Sequence, residues 1–210
     1  MKKSMFLMPL AGLVMAACAN DCKSASAGDS AKGGENAGNA VIENIMTRTS
    51  IRKYRADKPI PKDTLETIVK AGMAAPTAVN KQPWAFVVIT ERPLLDSLQK
   101  VSPNYQLKTA TAAIIVCGNL DKALEGEGQP YWVQDCSAAT ENILLAAHGL
   151  GLGAVWCGVY PIQERVDDVK KVLSLPDNIV PLDVICMGYP DEEVAPKDKW
   201  EPGNVHWNKW

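Results

Sequence analysis

Four short apolar runs constrain this chain most: Trp84–Thr90, Ala112–Gly118, Ala154–Val159 and Val180–Gly188. Each is rich in aliphatic, β-branched or aromatic residues and reads as a buried strand. Segments of helical period lie around them. In Pro61–Met73, Leu65, Ile68, Val69 and Gly72 share one face, and Ala75-Pro76 closes the helix because proline cannot continue it. Asp63 and Glu66 are spaced to form a capping box there. Val41–Met46, Leu94–Val101, Gln129–Leu150 and the stretch from Ile162 to Leu173 complete the helices. Within the longest, Asn142–Ala147 is apolar nearly all round, so it belongs under the sheet or at a subunit interface. Glu141 and His148 on it read as helix-surface or satisfied core groups rather than catalysts. Gly149-Leu150-Gly151-Leu152-Gly153 follows a helix and precedes a strand, the reverse of a dinucleotide fingerprint, and reads as a helix stop.

The chain has 210 residues and a net charge of -2, which leaves no global field to attract a polyanion. A nucleic-acid surface is therefore not expected, and any anion site must be local. Only two histidines are present, with no second histidine at helical spacing and no C-x-x-C pair, so no metal site is expected. Met1-Lys2-Lys3, the apolar run Met5–Ala17 and the small residues before Cys18 have the layout of a secretory signal. The box ending at Cys18 resembles a bacterial lipoprotein cleavage site, although Met15 departs from the usual pattern. A plain secretory signal cut nearby is the alternative. Residues 1–17 are thus expected to be a signal peptide and Cys18 the lipidated residue of an exported, membrane-anchored protein. Residues 18–40 are rich in Gly, Ala, Ser, Asn and Asp and are expected to be a flexible tether, leaving 41–210 as one folded domain. Without Cys18, an odd number of cysteines remains. Cys117 and Cys186, inside strand-like runs, are expected to be buried free thiols.

Chemistry concentrates in two places. In Thr47–Arg55, Arg48, Ser50 and Arg52 alternate, so an extended backbone projects them to one side. Two guanidinium forks with hydroxyls between them suit an oxygen-rich anion. Spacing alone equally admits a solvated basic segment. The loop Ala75–Trp84 carries two prolines, Thr77, and the amides Asn80 and Gln82, which offer donors and acceptors able to read the edge of a heterocycle. It also reads as a plain connector whose amides satisfy its own backbone. The tail from Pro196 pairs Lys197 and Lys199 with Trp200 and Trp207.

Arg-x-Ser-x-Arg, Ala-Pro-Thr-x-x-Asn-x-Gln-Pro-Trp, Gly-Leu-Gly-x-x-Trp and Gly-Tyr-Pro…Pro-Lys-x-Lys, in this order, span nearly the whole folded part. Together they resemble the nitroreductase-like family of FMN-dependent oxidoreductases. The resemblance implies an α+β fold with a mainly antiparallel central sheet flanked by helices, and a homodimer holding FMN at its interface. It also implies cofactor contacts from Arg48, Thr49, Ser50, Arg52, Pro76, Thr77, Asn80, Gln82, Trp156, Cys157, Gly158, Lys197 and Lys199, with Asn80 and Gln82 reaching from either subunit. Where the family often has arginine, Lys199 keeps the charge but not the fork. No side chain is expected as a catalytic acid or base, since the flavin carries the chemistry. The implied reaction passes a hydride from NAD(P)H or another donor to an electron-poor acceptor such as a nitroaromatic or quinone, by ping-pong turnover. Two alternatives differ in class: an exported flavin-binding electron carrier without turnover of its own, and a structural surface lipoprotein.

Overall fold

The computed structural model describes residues 32–210, with side-chain surroundings from Asn39 onward. The expected signal peptide, Cys18, Cys22 and most of the tether lie outside the described residues. The chain divides into the units Met1–Ala37 and Gly38–Trp210, and the second holds the features below.

Among the described residues, five α-helices and four strands follow in order: α1 (Lys32–Thr47), α2 (Lys62–Met73), β1 (Trp84–Ile89), α3 (Arg92–Val101), β2 (Ala112–Asn119), α4 (Tyr131–Gly149), β3 (Gly153–Gly158), α5 (Gln163–Leu173) and β4 (Ile179–Gly188). The strands form one sheet in the order β1-β2-β4-β3, and every pairing is antiparallel. Helices pack on both faces, so the expected α+β architecture is borne out.

Strand period divides the core in two. In β2, Ala113, Ile115 and Cys117 face a cluster closed by α3 and α5, while Ala112, Ile114 and Val116 face one closed by α2 and α4. Full burial of each Ile or Val stabilises by about 1.5–3 kcal/mol, so the two central strands carry much of the stability. Strand β1 departs from expectation: it is an edge strand, only half-buried, with Val88 exposed. A run of apolar residues reads alike whether it has one neighbour or two.

Two helix starts differ from the sequence reading. α1 begins at Lys32, so its first turns occupy the end of the segment expected as tether. Its far end is docked: Asn44 Nδ2 donates to the Leu145 carbonyl at 3.1 Å, and Thr47 Oγ1 lies 3.0 Å from His148 Nε2. Once nucleated by such contacts, a helix propagates cheaply into residues of modest propensity. In α2 the capping box does not form. Extended Pro61 occupies the N-cap, which places Asp63 inside the helix, where its Oδ1 accepts from the Thr64 N–H at 2.8 Å. The helix stop after α4 is as expected: the Leu152 N–H returns to the Ala147 carbonyl, and Gly151 takes a φ of 74°.

Candidate active site

The cationic stretch leaves α1 at Arg48, whose N–H makes the last helical bond to Asn44, and then lies across the ends of β3 and β4. Ser50 bridges Ala154, the Ile51 N–H donates to the Ala154 carbonyl at 3.1 Å, and Tyr54 bridges Pro190. Two glycines let it lie this close. A Cβ on Gly153 would come within 2.6 Å of Ile51, and one on Gly188 within 2.7 Å of Tyr54. This gives a packing reason for glycines in the Gly-Leu-Gly and Gly-Tyr-Pro motifs. Tyr54 is 1% exposed, and its hydroxyl reaches the carbonyls of Ile51 and Cys186 at 2.6 and 2.9 Å, which ties the stretch to β4.

With Ile51 and Tyr54 turned inward, Arg48, Thr49, Ser50 and Arg52 line one wall of a cleft of about 460 Å³. Val194, Lys197, Lys199 and Trp200 from the tail line the other. Six of the expected site residues therefore meet in one place. Two carboxylates organise the arginine wall. Glu141 Oε1 sits 3.3 Å from Arg48 Nε. Glu192 Oε1 accepts the Arg52 and Lys53 N–H groups at 2.6 and 3.0 Å, and the Arg52 amide is the chief reason its carboxyl titrates below the usual range. Four cations against these two anions leave a positive cleft matched to a phosphate or other oxyanion.

The second expected group lies elsewhere. Pro76, Thr77, Asn80 and Gln82 belong to the loop between α2 and β1, held near the start of α4 by Asp135, whose Oδ1 accepts the Ala78 N–H at 2.8 Å. Asp135 and Glu141 are separated by about 9 Å of helix rise. The loop is strained: Val79, Asn80 and Gln82 have φ of 42°, 58° and 51°, in the left-handed region. Asparagine tolerates that region, but a β-branched valine does not favour it. Two bonds hold the turn together. Thr77 Oγ1 accepts the Gln82 N–H at 3.1 Å, and Gln82 Nε2 donates to Asn80 Oδ1 at 3.1 Å. Both amides remain exposed.

On β3, Trp156 and Gly158 project to the face that carries α4, with open space beside Gly158. Trp156 is 36% exposed, a free aromatic wall. Cys157 alternates to the opposite face and is buried among Tyr105, Val155 and Cys186, so its side chain does not belong to that wall and only its backbone borders it.

Three acidic residues matter here that sequence reasoning did not single out, Asp135, Asp183 and Glu192, and Glu141, read as a helix-surface or satisfied core group, pairs with Arg48. Asp183 carried a signal, an acidic residue within an apolar strand. It is fully buried on β4 beside Gly158 and Val116. Burial pushes its carboxyl up to about 8. The Thr140 hydroxyl lies 2.9 Å from the Cys136 carbonyl and 2.7 Å from Asp183 Oδ2, while Asp183 Oδ1 has no hydrogen-bond partner among the described residues. One hydroxyl bond, which favours the carboxylate, does not offset the lost water, so burial dominates.

Comparison with known proteins follows the same outline. The profile of the nitroreductase family matches residues 45–106 and 95–189. A Methanothermobacter thermautotrophicus protein, provisionally named an NADH dehydrogenase/NAD(P)H nitroreductase, is 45% identical over 81% of this chain and 87% of its own. The crystal structure of a Bacteroides thetaiotaomicron protein of the same provisional name superposes with a TM-score of 0.77 at 42% identity, covering 82% of this chain and 99% of that one. An FMN-dependent nitroreductase from Clostridium difficile R20291 superposes at 0.73 with 28% identity, covering 80% of this chain and 99% of its own. With the profile covering more than half of its length and a relative 45% identical over 81% of it, the chain belongs to the nitroreductase family.

Proposed function

We propose that this protein is an FMN-dependent oxidoreductase that takes two electrons from a reduced nicotinamide nucleotide and passes them to an electron-poor acceptor, a nitroaromatic or quinone, by ping-pong turnover. The observation that carries this reading is the cleft between the Arg48–Arg52 wall and the Lys197–Lys199 tail. Its volume is in the range of small-molecule sites, and its donors are of the kind a phosphate monoester and a polyol chain require. Arg48, Thr49 and Ser50 hold the phosphate and ribityl end, with Lys197 and Lys199 closing on it from the tail. Arg52, its backbone fixed by Glu192, presents a cation to the pyrimidine edge of the ring. FMN supplies the hydride-accepting and hydride-donating chemistry when bound, and a fixed cation at that edge favours the negative charge that reduction brings. Trp156 and Gly158 offer a flat wall, and the Asn80 and Gln82 amides read the ring edge.

The protein acts as a homodimer in this reading. The Thr77–Gln82 loop packs beside the start of α4, whereas the cleft lies along its middle and last turns, where Arg48 and α1 dock; in this reading a second copy brings its loop to the first copy's cleft. Exposed apolar side chains support this: Val41, Ile42, Ile45 and Met46 on α1, and Trp200, Trp207 and Trp210 on the tail.

We further propose, from the N-terminal sequence, that the protein is exported and anchored through lipid on Cys18. Reduced nicotinamides are cytosolic, so this location favours a second reading in which another donor supplies the electrons, or the protein only carries them. Anaerobic titration of the purified yellow protein with NADH and NADPH, followed by a nitroaromatic or quinone, separates the two. Saturable bleaching and reoxidation support the oxidoreductase. Flavin that neither nucleotide bleaches removes the nicotinamide step, and a colourless protein removes both readings.

A further inference from the structure

With its side chain turned away from the Trp156 wall, Cys157 faces Cys186 across the β3–β4 pair, and the two Sγ atoms lie 3.8 Å apart. We propose that Cys157 and Cys186 form a second redox site, a dithiol that undergoes thiol–disulfide exchange with small-molecule disulfides to give an intramolecular Cys157–Cys186 disulfide.

Three features single this pair out. The sulfurs are already in contact, and closure to a bond of about 2 Å needs a small movement of one strand. Strand β3 is an edge strand whose one strand partner is β4, and the Arg48–Arg55 stretch is bonded at Ala154 near its start, so its Cys157 end can supply that movement. The environment is asymmetric as well. Cys157 retains 8% exposure, Cys186 none. A hydrogen bond from Cys186 holds the Cys157 thiol below the usual range, with the Arg52 guanidinium helping, while the Cys186 thiol is pushed well up. An acidic attacking thiol beside a resolving thiol is the arrangement that exchange needs. Lastly, the Tyr105 hydroxyl is buried in the same cluster with no hydrogen-bond partner among the described residues, a donor free to meet a thiolate there. The segment between α3 and β2 covers the pair, its Asn104 carbonyl 3.7 Å from Cys157 Sγ, and exchange requires that segment to move aside.

The other two core thiols form an internal control. Cys136 Sγ is directed at the Cys117 carbonyl, 3.4 Å away, rather than at its sulfur. Both side chains are fully buried, and burial pushes the Cys117 thiol up to about 12.

The exchange balances as follows. The Cys157 thiolate attacks one sulfur of the small disulfide and expels one thiolate. Cys186, its proton passing to that leaving group, attacks the Cys157 sulfur and expels the second. The protein loses two electrons and two protons, and the small disulfide becomes two thiols. Because Cys157 lies between Trp156 and Gly158, closing the bond shifts the exposed Trp156 on the opposite face of β3.

The test is to equilibrate the full-length protein in glutathione buffers of increasing oxidised fraction, alkylate the free thiols and map peptides by mass. The expected result is a linked pair of peptides carrying Cys157 and Cys186, formed more than about tenfold faster than any oxidation of Cys117 or Cys136. Cys186→Ser should trap glutathione on Cys157, whereas Cys157→Ser should leave Cys186 reduced. If wild-type protein that is folded by circular dichroism keeps all four thiols free, or oxidises Cys117 and Cys136 as fast, the proposal is overturned. The readout is thiol mass, so it stands or falls apart from flavin binding.

Discussion

The Arg48–Arg55 stretch and the Thr77–Gln82 loop carry the two groups of residues proposed for the flavin site, and they are built in opposite ways. The stretch is relaxed and is stitched by main-chain bonds to Ala154 and Tyr189 and by Glu192. Its arginines are in place before any ligand arrives. The loop holds three left-handed residues; the Thr77 oxygen closes it on itself through the Gln82 N–H, and the Asp135 oxygen holds it to α4. Preorganised donors lose little entropy on binding, whereas a strained loop with both amides exposed fits the proposal that it acts across a dimer interface. Helix α4 connects them through Asp135 near its start and Glu141 just past its middle, where the adjacent Thr140 joins it to Asp183.

The largest effect expected is one that erases the contrast by loosening the shared support. Asp183 keeps its proton in the folded chain up to about 8 but titrates near 3.8 when unfolded. Its contribution to stability is complete below the unfolded value and is lost as pH rises toward the folded one, at up to about 1.4 kcal/mol per pH unit. Tm should therefore fall between about pH 4 and 8 through this group, and Asp183→Asn should flatten the profile. An unchanged slope in the variant would assign the pH dependence elsewhere.

Next come variants that separate the halves. Arg48→Ala should weaken FMN binding by about 10- to 100-fold, the loss of one charge-assisted interaction of about 1.5–3 kcal/mol, read by fluorescence titration. Arg52→Ala should retain more flavin but lower its two-electron potential, by about 30 mV for each 1.4 kcal/mol of lost stabilisation. Equal flavin loss in the two with no change in potential would contradict that division of roles. On the loop side, Asp135→Ala leaves the Ala78 N–H without its partner and should cost about 1–3 kcal/mol of stability. Asp135→Asn, which keeps an acceptor, should cost less. The smallest effect has the opposite sign: Val79→Gly relieves a left-handed valine and should stabilise by at most about 1 kcal/mol, less the flexibility glycine adds to the unfolded chain. A Tm that drops in Val79→Gly would mean the valine side chain makes contacts that outweigh its backbone.

The same contrast marks what the sequence discloses. Most elements from Lys62 to Gly188 were legible because period-2 and period-3.6 patterns survive in single runs, as in Ala112–Gly118 and Pro61–Met73. The cationic wall was legible too, since Arg48, Ser50 and Arg52 are close in sequence and share one extended segment. What stayed hidden depends on distant partners. Nothing near Arg52 points to Glu192, and nothing near Thr77 points to Asp135, because those bonds exist only once β4 and α4 are in place. Cys157 misled because its neighbours belong to the wall, and strand alternation sends it to the other face. Val79 gave no sign of its backbone, since a valine at positive φ is imposed by the loop around it.

The central claim is that positive side chains from two separate segments meet to hold a flavin mononucleotide. Its most direct measurement is the binding isotherm of the purified protein for FMN, with flavin removed and returned at increasing ionic strength. The account predicts saturable binding of one FMN per chain at micromolar concentrations or below, weakened by salt and by Arg48→Ala or Lys197→Ala. Protein that is folded yet takes up no FMN in that range, or binds it with no response to salt or to loss of either cation, would contradict it.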